Sequence, residues 1–172
     1  MGRLDKESKV TGARPEFLNE QGMIFGASYT SSAVVPDGSP PPVVANPITD
    51  YVASARPGGR APHAWLQARD GTRVSTIDLV GKGFTLLGGA RAAEWAAAAK
   101  ALDVTPVTVG NGGLQPADER WRDAYGIGDD GAVLVRPDGY VAWRSASGVA
   151  DPARTLAAAM SAMLGSIQGR AP

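Results

Sequence analysis

At 172 residues the chain suits one domain with a tail, long enough to bury a core and short for two full domains. Its 17 basic and 17 acidic residues cancel, so no global field draws it to nucleic acid or to an anionic membrane. The absence of cysteine removes disulfides, thiolate catalysis and Cys-ligated zinc, and the one histidine, His63, leaves little material for a metal centre or a Ser-His-Asp triad.

Residues 1–21 are polar and without a period, and read as a partly disordered segment with no function assigned. They lack the apolar core of a signal peptide, and no run approaches the roughly 20 apolar residues of a membrane span, so the expected location is cytoplasmic. Residues 22–62 read as an extended linker. Within it GMIFGASYTSSAVV predicts a strand around Tyr29 to Val35, ended by the turn Pro36-Asp37-Gly38-Ser39. Pro40, Pro41, Pro42, Pro47, Pro57 and Pro62 exclude a helix or a central strand, so the segment should run extended over a surface.

Residues 63–165 read as the folded domain, with residues 166–172 as a tail. Pro62 to Leu66 and Arg73 to Leu79, separated by Arg69-Asp70-Gly71-Thr72, predict a hairpin. Gly83 to Leu87 is a short apolar strand closed by Gly88-Gly89. From Ala90 to Leu102, the residues Ala92, Trp95, Ala99 and Leu102 share a helical stripe, and Val104 to Val109 returns to strand character. This β-α-β unit predicts parallel strands, broken by Asn111-Gly112-Gly113. Asp118 to Tyr125 predicts a short helix, capped by Asp118, with Trp121 and Tyr125 on one face and Gly126 as its stop.

Gly131 to Arg144, GAVLVRPDGYVAWR, joins two strand signals through a turn signal. Ala132 to Val135 is unbroken and apolar, as in a strand covered on both faces, and Tyr140 to Trp143 is aromatic and β-branched. Arg136-Pro137-Asp138-Gly139 between them suits a type I turn followed by a glycine at positive φ. The last helix opens at Asp151-Pro152 and carries Leu156, Met160, Met163 and Leu164 on one face before Gly165. The order β-β, β-α-β, α, β-β, α predicts an α/β fold: a thioredoxin-like mixed sheet flanked by helices, preceded by the extended proline-rich segment.

Gly126-Ile127-Gly128-Asp129-Asp130-Gly131 matches G-x-G-x-x-G, but it follows a helix and leads into a strand, the reverse of a dinucleotide site. It reads as a connecting turn. At the junction where thioredoxin-like proteins carry Cys-x-x-Cys, the chain has Gly88-Gly89-Ala90-Arg91, and Asp130-Gly131 fills the usual place of a cis-proline, so the fold is expected without redox function. His63 could act as a general base, but no nucleophile or orienting partner stands nearby in sequence, and a histidine packed at a strand end is the plainer reading. Arg56, Arg60, Arg136 and Arg144 could bind an anion or pair with Asp78, Asp129 or Asp138, and a neutral chain favours pairing. Trp65, Trp95, Trp121 and Trp143 read as core or interface residues, not a base-stacking platform. No residue is assigned a catalytic, cofactor-binding or metal-binding role.

Three ordered stretches, Ser54 to Leu66 (SARPGGRAPHAWL), Val74 to Gly89 (VSTIDLVGKGFTLLGG) and Gly131 to Arg144, together resemble the C-terminal part of the FAD-dependent aromatic hydroxylases. The likeness is to the phenol, dichlorophenol and polyketide hydroxylase branch. YTSSAVVPDGSPPP, from Tyr29 to Pro42, resembles the stretch by which that family leaves its substrate domain. The resemblance implies a redox-inactive thioredoxin-like association domain, with FAD and NAD(P)H belonging to the complete family enzyme. The family's flavin motifs have no counterpart in this chain, so no cofactor is expected in it. It would be a structural piece present without its FAD and substrate domains; the alternatives are a subunit of a split hydroxylase or a free-standing binding module. The expected partner is a second copy, packed through residues 22–62 with strand pairing near Tyr29 to Val35, or an FAD-binding hydroxylase polypeptide.

Overall fold

A computed structural model describes residues 19–168 of the chain, and the expectations for residues 1–18 and 169–172 lie outside the described residues. In chain order the elements are α1 (Gln21–Phe25), β1 (Trp65–Gln67), β2 (Arg73–Ser75), a 3₁₀ turn (Ile77–Leu79), β3 (Thr85–Gly88), α2 (Ala93–Ala101), β4 (Thr105–Thr108), β5 (Gln115–Pro116), α3 (Arg120–Tyr125), β6 (Ala132–Val135), β7 (Val141–Ser145) and α4 (Pro152–Gln168). A four-stranded sheet ordered β4-β3-β6-β7 forms the centre, with β3 and β4 parallel and the other pairs antiparallel. This is the thioredoxin-like mixed sheet that the element order predicts.

The sheet is covered on both faces, which accounts for its unbroken apolar strands. On one face Leu86, Leu134 and Trp143 pack with Trp95 of α2 and with Leu156 and Met163 of α4. Trp95 is buried, and its indole N–H donates to the Asp130 carbonyl at 2.9 Å, so the large ring enters the core with its polar handle satisfied. On the other face Leu87, Val133, Val135 and Val141 pack with Leu66, Trp121 and Tyr125. β1 and β2 form the expected hairpin and, with β5, a separate sheet ordered β2-β1-β5.

The β6–β7 hairpin turns at Arg136 to Gly139 as its residues dictate. Gly139 adopts φ 82°, its N–H donates to Arg136 carbonyl at 2.9 Å, and the Arg136 N–H donates to Tyr140 carbonyl at 2.8 Å. One extra residue on β7 breaks the register, since Leu134 faces Trp143 and Val135 faces Val141. Ala142, the extra residue, turns its carbonyl to the Val35 N–H at 2.8 Å.

That contact belongs to the main departure from the sequence reading. No strand forms at Tyr29 to Val35: the Val34 N–H donates back to Ser31 carbonyl at 3.1 Å, a local turn stabilised by the Ser31 hydroxyl. The proline-rich segment instead lies as a strap along the outer edge of β7. The Gly58 N–H donates to Val141 carbonyl, the Val141 N–H to Gly59 carbonyl, and the Ala61 N–H to Gly139 carbonyl, each at 2.8 or 2.9 Å. This edge is therefore closed by the chain itself, and the opposite edge strand, β4, is blunted by Pro106.

Smaller differences have local causes. Ile77 to Leu79 is a 3₁₀ turn and not strand, because the Ser75 hydroxyl takes the Ile77 N–H and the Thr76 hydroxyl bonds Pro62 carbonyl and the Ala64 N–H. The helix predicted from Ala90 begins at Ala93, and α3 begins two residues after Asp118, whose carboxylate accepts the Arg120 N–H. The last helix passes through Gly165 to Gln168, since a glycine without a following proline weakens a helix by only about 1 kcal/mol. α1 and β5 have no sequence signal: one has five residues and the other two.

Candidate functional site

β3 delivers Gly88 and Gly89 to the approach of α2, where a redox-active protein of this fold would hold its thiols. The Gly89 N–H donates to Gly131 carbonyl at 3.1 Å and the Arg91 N–H to Asp129 carbonyl at 2.7 Å. A Cβ at Gly89 would lie 2.5 Å from the carbonyl oxygens of both Gly128 and Asp129. The loop before β6 thus seals the junction, and the amides of Gly89, Arg91 and Ala92 are already bonded.

The same loop contains the G-x-G-x-x-G run. Gly126 closes α3 in the left-handed conformation, the Gly128 N–H donates to Ala146 carbonyl at 2.7 Å, and the run leads into β6. A pyrophosphate needs amides gathered at the start of a helix. This loop closes one helix and opens a strand, and the N–H groups of all three of its glycines are bonded within the chain, so these residues do not fit FAD.

The arginines singled out from sequence end in different surroundings. Arg144 leaves β7 to meet Asp37 of the strap, with Nε 2.7 Å and Nη2 2.6 Å from Asp37 Oδ2, and also donates to Ser39 Oγ at 3.1 Å and Tyr125 carbonyl at 3.3 Å. The pair is largely withdrawn from water, with the Arg144 side chain 11% and that of Asp37 16% exposed. Burial alone would raise the Asp37 carboxyl, but hydrogen bonds from Ser39 and from Arg144, with the Arg144 charge, hold it below the usual carboxylate range. Arg56 Nε donates to Ser39 carbonyl at 2.8 Å, completing a latch that ties the Pro36 to Ser39 turn to the domain.

Arg136 pairs with Asp138 inside the hairpin turn. Asp129 pairs with Arg91 and Arg122, which sequence spacing does not single out, and among the described ion pairs Asp78 takes no part. Arg60 lies over the Tyr140 ring at 5.2 Å. Arg144 and Asp37 are 107 residues apart, and no local pattern announces such a pair.

His63 sits just before β1, exposed, edge-on to Trp65 at 4.8 Å between ring centres, with Nδ1 2.8 Å from Ser75 Oγ. Ser75 is buried and its oxygen also accepts the Ile77 N–H, so it orients the ring and is not presented as a nucleophile. Trp95, Trp121 and Trp143 are core residues, whereas Trp65 is half-buried beneath the Arg73 guanidinium. Tyr125 stacks on Trp121 and donates its hydroxyl to Pro62 carbonyl at 2.9 Å. Burial pushes its phenol well above the usual range, offset in part by the Thr76 hydrogen bond.

The strap also brings apolar side chains to the surface. Of the eight large hydrophobic residues exposed among the described residues, Met23, Ile24, Phe25, Tyr29, Val43 and Val52 lie between residues 23 and 52, ahead of the domain proper, leaving Ile77 and Leu164.

The family described as "Aromatic-ring hydroxylase, C-terminal" matches residues 54–166. The chain belongs to this family. It is 46% identical over 139 residues to aklavinone 12-hydroxylase RdmE of Streptomyces purpurascens, an alignment covering 77% of this chain and 25% of that protein. It is 41% identical over 162 residues to a 2,4-dichlorophenol 6-monooxygenase of Cupriavidus pinatubonensis, covering 86% of this chain and 26% of that protein. Among solved structures, the flavin-dependent monooxygenase PieE in complex with FAD and substrate superposes with a TM-score of 0.76 at 39% identity, over 86% of this chain and 26% of that one. A ternary complex of aklavinone-11 hydroxylase with FAD and aklavinone gives 0.73 at 42% identity, over 86% of this chain and 28% of that one. The chain therefore spans about a quarter of the length of the relatives it matches. Among the described residues, no helix is long and apolar enough to cross a membrane.

Proposed function

We propose that the chain is the association domain of an FAD- and NAD(P)H-dependent aromatic-ring monooxygenase of the cytoplasm: it performs no redox step and docks on the FAD-bearing part of the enzyme. The observation that carries this reading is the exposed apolar surface of Met23, Ile24, Tyr29, Val43 and Val52, mounted on a strap latched to the domain by Asp37 and Arg144. The sealed junction at Gly89 supports the absence of thiol-type chemistry, and the misfit of the Gly126 to Gly131 loop supports an FAD site outside residues 19–168. Pairing of Tyr29 to Val35 with a second copy is not favoured, because the Val35 N–H already has an acceptor within the chain.

The test mixes the chain with the Streptomyces purpurascens hydroxylase shortened by the C-terminal quarter it shares with this chain. Light scattering after size-exclusion chromatography should show a one-to-one complex, lost when Met23 and Ile24 are both changed to aspartate. Two species eluting separately, with the chain monomeric, would make it a free-standing module; a homodimer unaffected by the partner would make self-association its role.

A further inference from the structure

A second feature is a groove of about 630 Å³ between α1, the 3₁₀ turn and the tip of the β6–β7 hairpin. Its volume lies within the roughly 300–1,000 Å³ of small-molecule sites. The walls are apolar: Phe25 and Tyr51, with ring centres 5.6 Å apart and planes tilted by 51°, on the strap side, and Ile77 and Val80 on the domain side. Ile77 is half exposed at this position, so an apolar ligand would cover surface that now faces water.

The polar groups on the lining are biased to one sign. Arg60 contributes a guanidinium that makes no ion pair among the described residues and rests over the Tyr140 ring. Arg120 contributes a second, held loosely 3.6 Å from Asp118 with its side chain 75% exposed, so it can swing toward a ligand. The one lining carboxylate, Asp138, is already engaged by Arg136 and by the Tyr140 N–H. His63, fixed through Nδ1 by Ser75, lines the groove with its second ring nitrogen left to meet a ligand.

We propose that this groove binds a small planar aromatic anion, an arene carboxylate of one or two rings. The tilted Phe25 and Tyr51 rings suit an aromatic body through edge-to-face contact. The Arg60 fork suits a carboxylate, which it binds through paired charge-assisted hydrogen bonds. A phosphate or nucleotide is disfavoured, because such groups use convergent free amides and the N–H groups of the lining residues Ala61, Ile77, Val80, Arg120 and Gly139 are already bonded within the chain. The groove and the docking surface share the strap, but the two readings are tested apart, since ligand binding is read on the chain alone and docking on its mixture with a partner.

The experiment titrates the full chain with 2-naphthoate and follows amide shifts by NMR. Saturable shifts confined to residues around Phe25, Tyr51, Arg60, His63, Ile77 and Arg120 are expected. Arg60→Ala should weaken binding about tenfold, and the neutral 2-naphthamide should bind the wild type about tenfold more weakly than the acid, each having lost a charge-assisted pair. Arg60 is exposed, and an unchanged melting temperature of the variant will show that folding is intact. Ile77→Ser provides a second exposed change, expected to weaken the acid and the amide alike. The proposal is overturned if no saturable shift appears at millimolar naphthoate, if the shifts map elsewhere, or if amide and acid bind equally well.

Discussion

Replacing Arg144 by methionine leaves the strap's carboxylate without its cation while keeping most of the aliphatic stem of the side chain. The wild-type guanidinium makes two contacts to Asp37 Oδ2, one to Ser39 Oγ and one to Tyr125 carbonyl. Removing one partner of a fully buried pair costs about 3–5 kcal/mol. Because Asp37 retains 16% exposure, water can reach the stranded carboxylate, and the expected loss is about 2–3 kcal/mol. For a domain of this size that lowers the melting temperature by roughly 5–10 °C. Asp37→Asn can keep the acceptor for Ser39 but sets an amide NH2 against the Arg144 donors, so it loses the acceptor for Arg144 with the charge and should cost about 1.5–3 kcal/mol.

The pH dependence has a definite sign. The folded Asp37 carboxyl is depressed relative to the unfolded one, which titrates near ~3.9. Its stabilisation is therefore fully present above about pH 4 and fades as pH falls through the folded value. Wild type and Asp37→Asn should converge under acid. Circular dichroism melts between neutral pH and pH 3 measure this, and hydrogen exchange at the Val35 and Gly58 amides reports whether the strap loosens first. Arg144→Met melting within about 1 °C of wild type, with both amides equally protected, would refute the latch.

Three further outcomes are expected. Gly89→Cys should destabilise the chain by at least about 1–3 kcal/mol, the range for overpacking, because its Cβ would sit 2.5 Å from two carbonyl oxygens; urea denaturation checks this, and in an insulin-reduction assay the variant should match a no-protein control. Tyr125→Phe removes one buried hydrogen bond to Pro62 carbonyl, which keeps its bond from Thr76, so the cost should be near ~1 kcal/mol by thermal melting. The purified chain should be colourless, and a fluorescence titration with FAD should show no saturable binding at micromolar concentration, whereas saturation would place a flavin site in this chain.

Elements whose stability is written locally are legible in the sequence. Pro137-Asp138-Gly139 between two apolar runs dictates its hairpin, and Asp151-Pro152 ahead of a helical stripe starts α4, because turn and cap chemistry act within a few residues. The strap is not legible in this way. The β propensity of Tyr29, Val34 and Val35 favours a strand, yet a strand needs an edge, and the available edge of β7 is taken by residues 58–61. Ile77 to Leu79 shows the same limit, with the hydroxyls of Ser75 and Thr76 diverting the backbone from a ladder. The lack of a dinucleotide fit is visible from the order of elements around Gly126 to Gly131. The groove beside Arg60 is not, since it gathers residues from separate stretches between Gln21 and Gly139.

The central claim is that the strap presents the surface by which this domain joins the FAD-bearing part of a hydroxylase. Hydrogen exchange on the mixture with the shortened Streptomyces purpurascens enzyme, compared with the chain alone, tests it most directly. Slowed exchange over residues 21–30 and 43–52, with α2 and α4 unchanged, is the predicted result. Protection confined to α2 and α4, or no protection while the two proteins nevertheless coelute, would contradict it.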